Sequence, residues 1–200
     1  MSGKILKEQV VNIAQKPEEI KSVFWLQNEV FIRYCGAEKQ FISRDDIHAE
    51  FKKGNIESAI LKTLAWGYPN AMRRFKPENN NIQLIRELLK HKGNLSLAEL
   101  HFAFGGLLQI DGIGPSTLTK LLFFNGNTYK NIPCLILDER VINSIKALED
   151  FVELRNNFNP SKVSSFISYL ENMQQVSISL DISPEQLEVY LFMENGQQKA

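Results

Sequence analysis

Apolar positions along this chain change their period near Gly54. Before it, Val23-Phe24-Trp25-Leu26 and Val30-Phe31-Ile32-Arg33-Tyr34 are β-prone runs separated by Gln27-Asn28-Glu29. They suit a β-hairpin or small sheet and would also tolerate a helix. A small N-terminal β-hairpin within segment 1–50, packed on a helical body, is the preferred expectation. After Gly54 the spacing turns helical: Ile56, Ile60, Leu61 and Leu64 trace one face until Gly67-Tyr68-Pro69 stops it. Further amphipathic faces follow at Ile82, Ile85, Leu88 and Leu89, ended by Gly93-Asn94, and at Leu97, Leu100, Phe104, Leu107 and Leu108.

Pro115 suits the first turn of a helix, where its missing N–H costs nothing, and that helix carries Leu118, Leu121 and Leu122 up to the loop Asn125-Gly126-Asn127-Thr128. Val141, Ile142, Ile145 and Leu148 predict a helix beyond Asp138, and Asn159-Pro160 opens another bearing Val163, Phe166, Ile167 and Leu170. Ser183-Pro184-Glu185-Gln186 is a capping box before a last helix with Leu187, Tyr190 and Leu191. The expected fold is mostly α, with a helical domain over 51–194 and a disordered tail over 195–200.

Composition adds boundaries to that picture. With 200 residues, 44% of them hydrophobic, the chain can bury a substantial core. No apolar run approaches the roughly 20 residues needed to span a bilayer, and the start lacks a secretory core, so a cytoplasmic protein without membrane contact is expected. Cys35 and Cys134 stand far apart with no Cys/His grouping, and His48, His91 and His101 fall at no ligand spacing, so no disulfide, metal or cofactor is expected. The 23 basic and 23 acidic residues cancel, so any nucleic-acid face must be local. Arg73-Arg74-Phe75-Lys76 is the densest basic run, readable as a solvated face or as part of such a surface.

The chemistry concentrates in Gln109-Ile110-Asp111-Gly112-Ile113-Gly114-Pro115-Ser116-Thr117, a glycine-bent turn between two apolar helices. Glycines allow a tight turn and a close approach, and the next helix presents unpaired N–H groups with a partial positive charge. Such a corner can hold a phosphate through backbone donors, without net positive charge on the protein. Gly112 and Gly114 could equally be a plain helix connection.

The stretch Leu107–Leu122, taken with Pro133-Cys134-Leu135-Ile136-Leu137-Asp138-Glu139-Arg140-Val141, resembles the helix-hairpin-helix DNA glycosylase superfamily, with the hairpin at 107–123. Asn79-Asn80-Asn81-Ile82 and Val189-Tyr190-Leu191-Phe192 are similar to segments of its 8-oxoguanine branch, and the resemblance runs from about Trp66 to Phe192. It implies a helix-hairpin-helix glycosylase-like fold, a DNA partner containing a modified base, and a catalytic carboxylate at Asp138. It also implies a DNA face of Gly112, Gly114, Thr117, Lys120, Asn79, Arg73 and Arg74, with Asn79 as the wedge. Phe192 and Trp66 would line the base pocket.

This sequence departs from the family pattern twice. About 30 residues separate the asparagines from the hairpin, fewer than the family places there, and Ser116 stands where bifunctional members carry their nucleophilic lysine. Serine there is similar to monofunctional, adenine-excising relatives, so the resemblance implies hydrolytic excision of a modified purine, with Ser116 and Thr117 holding phosphate or positioning water. Lys120, one helical turn on and on the same face, is expected to grip phosphate, with a displaced amine nucleophile as the alternative. Asp138 also suits the N-cap of the following helix, a role compatible with chemistry. Two other readings accompany the enzyme: a non-catalytic nucleic-acid-binding module, and a glycosylase-like component of bacterial antiphage defence.

Overall fold

The computed structural model describes residues 5–11, 13, 15–154 and 158–197. Helices dominate. In chain order they are α1 (Lys7–Val10), α2 (Val23–Leu26), α3 (Glu29–Cys35), α4 (Arg44–Lys53), α5 (Ile56–Gly67) and α6 (Asn79–Leu88). There follow α7 (Leu97–Leu107), α8 (Pro115–Phe124), α9 (Glu139–Ala147), a 3₁₀ turn over Glu149–Leu154, α10 (Val163–Leu180) and α11 (Pro184–Gln197). Strands β1 (Glu18–Ile20) and β2 (Gln40–Ile42) pair antiparallel, while β3 (Asn94–Leu95), β4 (Thr128–Tyr129) and β5 (Ile132–Pro133) form a second small sheet. Among the described residues no helix is long and apolar enough to cross a membrane.

The small N-terminal β element is present as an antiparallel pair, but not on the β-prone runs. The runs Val23–Leu26 and Val30–Tyr34 are helical, and the antiparallel pair lies outside them, β1 before and β2 after. The cause is local capping. Ser22 Oγ accepts from Phe24 N at 3.2 Å and Asn28 Oδ1 accepts from Phe31 N at 2.9 Å, so each run begins with a side chain that satisfies helical N–H groups. Helix geometry then buries Trp25 and Phe31 and leaves Val23 exposed.

Helix α5 is the centre. It packs against α3, α4, α6 and α8, and from Ser58 to Trp66 only Lys62 escapes full burial, so the single face read from the sequence is in fact nearly the whole circumference. Ile20, Trp25, Phe31, Ile42 and Ile47 from the first fifty residues join the same apolar core. Helix α8 is likewise buried from Thr117 to Phe124. Helix α11 packs on α9 and α10, and it runs to Gln197, so residues 195–197 of the expected disordered tail are helical; residues 198–200 lie outside the described residues.

The hairpin is fixed by Gly112, whose φ of +82° favours glycine. A side chain there would place its Cβ 2.5 Å from Phe75 N and 2.9 Å from Arg73 O, both backbone atoms that cannot step aside. The turn is thereby clamped to the segment carrying Arg73 and Arg74. Gly114, at the N-cap of α8, faces open space. Gly112→Ala is accordingly expected to destabilise the fold by about 2 kcal/mol or more, from clash and left-handed strain together, and Gly114→Ala by less than about 1 kcal/mol. Urea denaturation of the two variants measures the difference.

Candidate active site

Asp138 is placed by the chain that leads to it. After the β4–β5 turn, residues Cys134 to Leu137 run fully buried, tied by Leu137 N donating to Thr119 Oγ1 (3.0 Å) and Tyr169 Oη donating to the Ile136 carbonyl (2.9 Å). Asp138 then caps α9, its Oδ1 accepting from Arg140 N (3.0 Å) and Val141 N (3.1 Å). Its other oxygen, Oδ2, stands 3.7 Å from Lys120 Nζ. Capping thus occupies Oδ1 and leaves Oδ2 toward Lys120.

Lys120 is buried on α8, and its Nζ donates to Ser116 Oγ at 2.6 Å, one turn earlier on the same helix. Burial disfavours the ammonium and, with the nearby Arg44 cation, holds Lys120 below the ordinary lysine range, although the Asp138 and Glu188 carboxylates pull the other way. Gly67, at the end of α5, lies against the lysine stem; a Cβ there would sit 3.2 Å from Lys120 Cδ. The stem is therefore packed against α5 while the amine is bonded to Ser116.

These groups face a cavity of about 210 Å³. Its walls are Trp66 and Gly67 at the end of α5, Pro69 just beyond it, Lys120, Asp138 and Arg140, and Phe192 from α11; Gln15 and Glu18 close it from the N-terminal segment. This is smaller than the roughly 300–1,000 Å³ of ordinary small-molecule sites and suits one flat heterocycle. A larger cleft of about 810 Å³ lies between α7 and α10, but it contains none of these charged groups. The Arg140 guanidinium lies 4.7 Å over the Phe192 ring, so that face of the ring is covered.

Behind the cavity lies a second ion pair. Arg44 donates from its two terminal nitrogens to Glu188 Oε2 (2.7 Å) and Oε1 (2.9 Å), and Glu188 has no solvent exposure. The Arg44 guanidinium also lies over the rings of Trp66 (5.5 Å) and Phe123 (5.4 Å). Burial raises the Glu188 carboxyl above its usual range, against the pull of Arg44.

Several expected site residues converge: Asp138, Trp66 and Phe192 share one cavity, and Ser116 reaches it through Lys120. Two expectations change. Thr117 is buried and donates to Tyr68 Oη (3.2 Å), so it faces the interior and not a DNA strand, and Lys120 is too buried for a surface phosphate contact. Asn79 is exposed at the first turn of α6 and does not line the cavity; Arg73 and Arg74 are exposed beside the hairpin. Sequence reading missed Gln15, Glu18, Arg44, Arg140 and Glu188. Only Glu188 carried a signal, as a charge beside Leu187 in an apolar helix face, and its partner stands 144 residues away.

Comparison with known proteins places the chain in a family. A family model described as "Putative 8-oxoguanine DNA glycosylase OGG-like protein" matches residues 12–192. No curated protein and no solved structure matches the chain.

Proposed function

From the premise that this chain belongs to the OGG-like 8-oxoguanine DNA glycosylase family, and so is a glycosylase-like protein with DNA as its substrate, we propose that it excises a modified purine from duplex DNA. In this reading Lys120 is the attacking amine and Asp138 the assisting carboxylate. The observation that carries it is the buried Lys120–Asp138 pair facing a cavity of heterocycle size. The family lysine absent at position 116 is replaced, one helical turn later, by an amine that hydrogen-bonds to the Ser116 hydroxyl.

The duplex is gripped at the amides opening α8 beyond Gly114, with Arg73 and Arg74 alongside. The target nucleotide leaves the stack, at a cost of about a few kcal/mol, and its base enters between Trp66 and the Arg140–Phe192 wall. As the C1′–N9 bond lengthens, positive charge develops on the sugar and the free oxygen of Asp138 stabilises it. The base departs with the bonding electrons and takes a proton from solvent. Neutral Lys120 Nζ bonds to C1′ and passes a proton through Asp138 to the ring oxygen, which opens the sugar and leaves a protonated imine.

A second reading, hydrolysis, is favoured by the same short bond from Lys120 to Ser116, which would hold a charged lysine as a counter-ion while water attacks. Both readings are tested by release of free base from duplexes carrying 8-oxoguanine and other purine lesions. Asp138→Asn keeps an N-cap for α9 and is expected to slow release by about a hundredfold to a thousandfold while retaining DNA affinity. Full turnover in that variant, or no release from any lesion, would overturn the proposal.

A further inference from the structure

We infer that Thr119 is a positioning residue of this site: its hydroxyl braces α8 against the segment leading to Asp138, and so keeps the Lys120 amine and the Asp138 carboxylate from closing into a tight ion pair. The inference rests on the glycosylase reading for what that pair does. Thr119 directly precedes Lys120 on α8, and Leu137 directly precedes Asp138. Leu137 N donates to Thr119 Oγ1 at 3.0 Å, and the same hydroxyl donates its hydrogen to the Ser116 carbonyl at 3.2 Å. Its orientation is thereby set, with a lone pair toward Leu137. Thr119 has no solvent exposure, so water does not stand ready to replace either bond.

Lys120 Nζ and Asp138 Oδ2 stand 3.7 Å apart, whereas an ammonium and a carboxylate in direct hydrogen bond lie about 2.7–2.9 Å apart. Buried opposite charges attract strongly, so such a gap persists only if both sides are held elsewhere. On one side Nζ is bonded to Ser116 Oγ and the lysine stem lies against Gly67. On the other, Oδ1 is taken by two amides of α9, and the Thr119 bond fixes the backbone one residue earlier. The charged groups around the amine come from several elements: Asp138 before α9, Glu188 from α11, Arg44 from α4, and Glu18 and Arg140 on the cavity wall. Tyr169 of α10 is close enough to Asp138 to feel its charge. Of these distances, the one to Asp138 is governed by the Thr119 bond. Closing that gap would stabilise the ammonium and occupy Oδ2. Neither a neutral amine to attack nor a free oxygen to meet charge on the sugar would then remain.

The experiment follows the ionisation of Lys120 without DNA, by the ¹³Cε signal of the lysine-labelled chain that is missing from Lys120→Gln. Thr119→Val keeps the shape and removes the hydroxyl. Leu137 N–H then lacks its acceptor, the segment shifts and the pair closes, so the Lys120 midpoint is expected to rise. Thr119→Ser keeps the hydroxyl and is expected to restore the wild-type midpoint. In Thr119→Val the base-release rate near neutral pH should fall by about tenfold to a hundredfold, its rise with pH should move upward with the midpoint, and DNA affinity should stay unchanged. If that variant does not fold, Thr119→Cys, of similar bulk and with a much weaker acceptor, is expected to move the midpoint the same way. A merely structural role would lower the melting temperature and leave the midpoint in place. An unmoved midpoint in the folded variant, or one moved as far by Thr119→Ser, overturns the inference. Base release judges the catalytic reading separately: a raised midpoint without release from any lesion keeps the brace and removes the glycosylase, and release with an unmoved midpoint does the opposite.

Discussion

Borohydride added during turnover is expected to trap a covalent protein–DNA adduct that forms with the wild-type chain and not with Lys120→Gln. The reason is the state of the amine. Lys120 is buried, its stem lies against Gly67, and its Nζ sits between Ser116 Oγ and Asp138 Oδ2. A lysine so placed loses its proton more readily than one in water, and only the neutral amine can attack C1′. Loss of that nucleophile should lower the rate by on the order of 10⁴-fold or more, because groups that act as a unit fail as a unit. Ser116→Ala, which removes only the hydroxyl, should still give an adduct.

The same amine sets a pH dependence. Its folded-state pKa lies below the ordinary 10.5, so the rate should rise with pH as Lys120 deprotonates and level off before 10.5 is reached. Stability follows with the same sign: between the two pKa values the unfolded chain binds more protons, so the fold gains stability as pH rises through that window. A rate that falls across this range, or an adduct undiminished in Lys120→Gln, would remove Lys120 from the chemistry and leave the hydrolytic reading.

The second large effect is on stability. Arg44→Ala should cost about 3–5 kcal/mol, since it strands the fully buried Glu188 carboxylate without its cation. For a chain of this length that is a fall of about 6–20 °C in melting temperature. The pair Arg44→Met with Glu188→Leu removes both charges and should recover most of the loss, because burying two charges is itself expensive. Calorimetry on these two variants and the wild type measures the loss and its recovery. An Arg44→Ala variant as stable as wild type would mean that the pair contributes nothing net.

Much of this molecule was legible in one dimension because the relevant physics is short-ranged. Apolar spacing gave the helices from α5 onward, Pro115 and the capping box at Ser183 gave helix starts, and the Gly-Ile-Gly turn followed by Asp138 marked both the hairpin and the capped carboxylate. The N-terminal runs were misread because their composition favours strands, whereas Ser22 and Asn28 cap them into helices. The signal was present there, in residues that composition alone underweights.

The remainder depended on packing between distant segments. Spacing could put Lys120 on the same face as Ser116, but only the fold decides that this face is interior, and burial is what changes a phosphate-gripping cation into a candidate nucleophile. Nothing near position 15 or 44 indicates that Arg44 meets Gln15, 29 residues away, and Glu188, 144 residues away. Local sequence determines which backbone shapes are cheap. The tertiary structure decides which charges lose their water, and that loss determines what Lys120, Glu188 and Asp138 can do.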